Sequence, residues 1–143
     1  MLVGVFGVRV VVCNLQDATK ATEVELVVDT GAAYPLIPRR LAESLGIRSV
    51  ETRTFTLADG SRIERELGWA GLMYGDRASP SLVILGGEDD VPILGAFALE
   101  GLGLEADPVA KLLRPATQFL LGALGPRVEL PGLRAVAGVQ NPL

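Results

Sequence analysis

Apolar runs and two-residue alternation, broken by turn-forming residues, pattern most of this chain and predict strands more often than helices. Val8 to Val12 is continuous and β-branched, as expected of a buried strand, and the apolar stretch Met1 to Val8 also reads as strand. Asn14 to Thr22 is polar and reads as a loop. Glu23 to Val28 follows, its early alternation predicting a strand with one wet face. The two strands make a hairpin that delivers Asp29 at a strand end. Tyr34 to Ile37 continues extended, and Pro38 stands where a helix can begin. Arg39 to Leu45 then predicts a short amphipathic helix, with Leu41 and Leu45 on one side and Gly46 as its stop.

Further on, Thr52 to Leu57 and Arg62 to Leu67 both alternate around Ala58-Asp59-Gly60-Ser61, and Asp-Gly is a dipeptide that tight hairpin turns prefer. Trp69 to Tyr74 and Ser81 to Leu85 predict two more strands across the Gly75-Asp76-Arg77 turn. Gly86 to Asp90 reads as a flexible acidic loop. Val91 to Leu94 is a buried strand meeting Gly95, Phe97 to Leu102 a short helix, and Gly103 its stop. Glu43-Ser44-Leu45-Gly46-Ile47 and Glu100-Gly101-Leu102-Gly103-Leu104 match in pattern 57 residues apart, which hints at an internal pseudo-twofold. Glu105 to Pro108 reads as a turn and Val109 to Leu113 as the last strand. From residue 115 the composition changes: Pro115, Pro126, Pro131 and Pro142 punctuate the segment and Glu129 is its only acid. Thr117 to Leu124 predicts about two turns of apolar helix there. The chain therefore divides into a domain over 1–114 and a tail over 115–143 with no assignable chemistry.

With 143 residues, 49% of them hydrophobic, the chain has enough material for one core and little room for two. A net charge of -4 leaves no basic footprint, so nucleic acid is not an expected partner. No run approaches about 18 apolar residues, so no membrane span is expected. Cys13 stands alone, which points to a reducing compartment and a cytoplasmic location. The apolar N-terminus lacks a basic flank and a small-residue cleavage site, so it is not expected to be a signal peptide.

Histidine is absent. That excludes a Ser-His-Asp triad, a Cys-His dyad, a histidine base and a histidine metal site, and leaves acid-base chemistry near neutral pH to carboxylates. The carboxylate in the most unusual setting is Asp29. An apolar strand runs straight into Asp29-Thr30-Gly31-Ala32, and polar groups are costly there unless something is gained. Asp, Thr and Gly are also common turn formers, so these four residues alone leave an ordinary turn open.

Taken in order, an apolar strand into Asp29-Thr30-Gly31-Ala32, an Asp-Gly hairpin, and Ile93-Leu94-Gly95-Ala96 opening a helix resemble the retropepsin-type aspartic proteases, and more narrowly their small bacterial and archaeal members. The resemblance covers roughly Val8 to Leu113. It implies an all-β, closed, barrel-like lobe with one or two short helices, acting as a homodimer, because each lobe of the family gives one Asp-Thr-Gly and this chain carries one. Asp29 would meet Asp29 of a second copy across the twofold axis. Two close carboxyls cannot both ionise easily, so they share a proton and supply base and acid together. The implied reaction is aspartic endopeptidase hydrolysis of a peptide or protein substrate by an activated water, with no cofactor and no metal.

The same resemblance gives the neighbours of Asp29 their roles. The Thr30 hydroxyl would bond across the dimer, Gly31 would allow close approach of substrate backbone, and Ile93, Leu94 and Gly95 would pack beneath the loop and hold it rigid. Leu57, Ala58, Asp59, Gly60 and Ser61 would form the tip of a flap over bound peptide, although the glycine-rich run of viral relatives is missing from it. Ala32 offers Asp29 no hydroxyl, which implies a pH optimum of about 5–7, less acidic than that of digestive members. Two other readings remain: a retropepsin-like dimerisation or peptide-binding module without catalysis, and a small β-barrel binding a cation at Glu88, Asp89 and Asp90.

Overall fold

The computed structural model describes residues 5–118. The expectations for 1–4 and for the tail from 119 onward, including most of the apolar helix read over Thr117 to Leu124, lie outside the described residues.

Among the described residues, nine strands and two short helices follow one another as β1 (Gly7–Cys13), β2 (Ala21–Val28), β3 (Leu36–Pro38), α1 (Arg39–Ser44), β4 (Ser49–Thr56), β5 (Arg62–Tyr74), β6 (Arg77–Gly86), β7 (Ile93–Leu94), α2 (Ala96–Leu102), β8 (Leu104–Asp107) and β9 (Leu112–Pro115). The first seven form one sheet in the order β1-β2-β7-β3-β6-β5-β4, and β1 also pairs with β5. Six strands therefore close on themselves, with β4 outside the ring and β8-β9 as a separate hairpin. Closure leaves the six without the free edges that attract other chains.

Inside the ring the apolar residues of alternate positions meet. Val10, Val12, Leu26, Leu72, Val83 and Leu94 are all at 0% exposure, and α1 and α2 add Ala42, Ala98, Leu99 and Leu102. Leu94→Ala is expected to cost about 2–5 kcal/mol, because β7 is two residues long and has no slack with which to fill the cavity. Chemical unfolding of wild type and variant measures this.

The hinted repeat has a structural counterpart. β7 pairs parallel with β2, β3 pairs parallel with β6, and β3 and β7 meet antiparallel at Leu36 and Ile93. Each of these short strands leads into a short helix, ended at Gly46 (φ 72°) or Gly103 (φ 67°). A buried apolar residue follows each glycine, Ile47 in one copy and Leu104 in the other.

Three expectations need correction. β5 is one strand of 13 residues, where the sequence suggested Arg62 to Leu67 and Trp69 to Tyr74 with a break between. Gly68 is no break: a Cβ there would lie 2.6 Å from the Arg48 carbonyl oxygen, so the glycine admits a close backbone. Just past it, β5 exchanges β4 for β1 as its partner on that edge. Second, Val91 is exposed, and the strand before Gly95 is only Ile93–Leu94. Third, Leu104–Asp107 is strand, not turn, and the turn falls at 108–111. The Asp107 carboxylate makes that turn by accepting from the backbone N–H groups of Val109 and Ala110, at 3.0 and 2.9 Å.

Candidate active site

Asp29 follows the last residue of β2 and is exposed. Its backbone N–H donates to the carbonyl of Leu94 at 3.2 Å, so β7 carries the loop directly. The Asp29 Oδ1 accepts from the Gly31 N–H at 2.9 Å, and the Ala32 N–H donates to the Asp29 carbonyl at 3.2 Å. The result is a tight turn that holds a carboxylate outward. Thr30 and Gly31 are exposed beside it, and Thr30 sits at the rim of an open depression of about 630 Å³ bordered by Leu99, Leu104 and Ala116.

Ile93 and Leu94 form β7 and pair with Val27 and Val28 at the end of β2, and Gly95 leads into α2. The first turn of α2 donates back into the loop, Ala96 N–H to the Ala32 carbonyl at 2.8 Å and Phe97 N–H to the Ala33 carbonyl at 2.9 Å. Asp29 is thus fixed from β2, from β7 and from α2.

The Leu57 to Ser61 segment is the tip of the β4-β5 hairpin and is exposed throughout. Gly60 has φ 86°, a conformation that favours glycine, and the Ser61 N–H donates to Asp59 Oδ1 at 2.9 Å. The Ser61 hydroxyl and then its N–H hold the Asp59 carboxyl below its usual range. β5 pairs with β6 only as far as Glu66 with Leu85, so Arg62 to Arg65 and their β4 partners form a two-stranded arm beyond the edge of β6.

The root of that arm holds contacts that sequence reasoning missed. Arg53 Nη1 donates to the Tyr34 hydroxyl at 3.1 Å, and its guanidinium lies 5.5 Å from the Tyr34 ring centre. The Tyr34 ring in turn meets Phe97 of α2 at 5.5 Å, tilted by 51°. Glu51 and then Tyr34 raise the Arg53 pKa. A readable signal did exist: Arg53 has the strand parity of Phe55, which puts a charge on the arm's more apolar face.

The acidic loop is put to a different use from cation binding. Asp90 accepts a two-point contact from Arg65, Nε to Oδ2 at 2.7 Å and Nη2 to Oδ1 at 3.1 Å, and one from the Gly87 N–H at 2.7 Å. Glu88 faces Arg40 at 3.8 Å. Among the described residues no group of three His, Cys, Asp or Glu side chains is placed to hold a metal ion, and no helix is long and apolar enough to cross a membrane.

Arg65 foremost, then the Gly87 N–H, depresses the Asp90 pKa against the opposing effect of burial. A carboxylate whose folded pKa lies below its unfolded one, near 3.9, stabilises the fold above that value. Its contribution is lost as pH falls through the lower folded pKa. Asp90→Asn is therefore expected to be less stable than wild type at pH 7 and to converge with it as the pH falls through that lowered pKa. Urea unfolding at a series of pH values checks this.

Residues 9–96, more than half of the chain, match the family described as aspartyl protease. No curated protein sequence matches the chain. Among solved structures, the EIAV protease complexed with the inhibitor HBY-793 is similar at 20% identity with a TM-score of 0.53, over 68% of this chain and 88% of that one. A retropepsin-like aspartic protease from Rickettsia conorii is similar at 21% identity with a TM-score of 0.42, over 72% and 84%. The first likeness agrees with the closed β architecture found here. The family match runs from β1 through the Asp29 loop into the start of α2, and on it this chain belongs to the aspartyl proteases.

Proposed function

We propose that the chain is an aspartic endopeptidase that works as a homodimer, with Asp29 of each copy forming the catalytic pair. The observation that carries this is the Asp29 loop itself: a carboxylate held outward by the Gly31 N–H on a base fixed from three elements. Preorganisation of this kind is what acid-base catalysis needs. One copy supplies one such carboxylate, whereas amide hydrolysis needs a base to take a proton from water and an acid to give one to the leaving group. A second copy completes the pair.

Asp29 and Thr30 are both exposed, and Thr30 stands at the rim of an open depression; this supports the pairing, since it leaves a surface for the partner to meet. The Thr30 hydroxyl bonds across the interface and Gly31 admits the substrate backbone. Leu57 to Ser61 close over the peptide and exclude water. A peptide-library digest, run with wild type beside Asp29→Asn and across pH, tests the reading. Cleavage confined to wild type supports it, and cleavage by both proteins ends it.

A further inference from the structure

The arm that carries Leu57 to Ser61 is fastened at one level. Arg53 and Arg65 are directly opposed in the β4-β5 register, so their side chains leave the same face. They form the first pair beyond the point where β6 stops supporting β5, since the next pair inward, Thr52 and Glu66, still adjoins Leu85. Like charges so placed repel, yet each guanidinium is held elsewhere. Arg53 is held by Glu51 on its own strand and reaches Tyr34, in the segment that follows Asp29. Arg65 reaches Asp90, in the loop that leads to β7, whose Leu94 carbonyl receives the Asp29 N–H. Both strands of the arm are thus tied, at the same height, to the two backbone segments that position Asp29. Past this level, among the described residues, the strand pairing of the arm is its own ladder, from Thr54–Glu64 to Thr56–Arg62.

We propose that Arg53 and Arg65 are paired positioning residues, clamping the root of the arm to the Tyr34 and Asp90 segments and confining its movement to residues 54–64. Their part in substrate binding rests on the peptidase reading above; the clamp itself does not. A planar guanidinium suits the task, because it can fork onto a carboxylate and lie against a tyrosine, which a lysine ammonium does less well.

Hydrogen exchange on the full-length chain tests the clamp. Tyr34→Phe combined with Asp90→Asn removes the hydroxyl that Arg53 reaches and the charge that Arg65 forks onto, weakening both fastenings from the floor side, and leaves the arm's sequence untouched. About tenfold faster exchange across 54–64, with β1, β2 and β6 unchanged, is the expected result. Unchanged exchange in the arm, or equal loosening everywhere, overturns the proposal. Arg53→Lys with Arg65→Lys keeps the charges without the forks and should fall between wild type and the first variant. On a cleaved peptide, KM should rise about five- to tenfold with a smaller change in kcat. Faster arm exchange with KM and kcat both unchanged overturns the role in binding. Should wild type cleave no peptide at all, the peptidase reading fails while the exchange result still decides the clamp.

Discussion

Asp29→Asn is expected to lower kcat/KM on peptides by ~10⁴-fold or more while leaving the fold and its thermal midpoint near wild type. General acid and general base catalysis are each worth about 10²–10⁴-fold, and in a homodimer one substitution removes both. The fold survives because Asp29 is exposed and its side chain does one structural task, accepting the Gly31 N–H. An asparagine carbonyl oxygen can accept that same bond. The proposed dimer also makes a prediction that a monomeric catalyst does not. When wild type and Asp29→Asn copies are mixed in equal amounts and allowed to exchange, about a quarter of the dimers carry two aspartates, so activity per total chain falls to about a quarter. A catalyst complete in one copy would fall to half. Activity linear in the wild-type fraction sinks the shared pair, and full activity of the pure variant sinks the aspartic mechanism as a whole.

What the sequence made legible was the local chemistry of strands and turns. Val8 to Val12 and Glu23 to Val28 announce β1 and β2 through β-branching and alternation, Asp59-Gly60 marks the hairpin tip, and Gly46 and Gly103 end the helices. Each of these signals is carried by neighbours in the chain. The failures came where distant backbone decided the outcome. Gly68 looked like an interruption because its use, admitting the Arg48 carbonyl, depends on β4 lying alongside. Glu105 to Pro108 looked like a turn, and the pairing of Leu104–Asp107 with β9 moved the turn onward. The contact of Arg53 with Tyr34 spans 19 residues, and that of Arg65 with Asp90 spans 25. The parity of the arginines was readable in the strand pattern; the identity of their partners was not.

Gly95→Ala is the second substitution expected to have a large effect, and it acts through space alone. Gly95 is extended, with φ -90° and ψ 180°, so an alanine meets no conformational objection there. Its Cβ, however, would lie 2.7 Å from both the carbonyl carbon and oxygen of Tyr34 and 2.9 Å from the carbonyl oxygen of Ala32. All three are backbone atoms and cannot rotate aside. Relief requires the Asp29 loop and the start of α2 to separate, which lengthens the Ala96–Ala32 and Phe97–Ala33 hydrogen bonds. Overpacking of this kind costs about 1–3 kcal/mol, or about 5–10 °C in Tm. Activity should suffer more than stability, since a displacement of about 1 Å at a catalytic group costs on the order of 10²-fold. Gly87→Ala is the matched control: its nearest neighbour would be Arg65 Nη2 at 3.4 Å, an ordinary contact, and its cost should stay within about 0.5 kcal/mol. Thermal melts and kcat/KM on one peptide separate the two variants. Wild-type values for Gly95→Ala would show that the loop does not depend on this close approach to hold Asp29 in place.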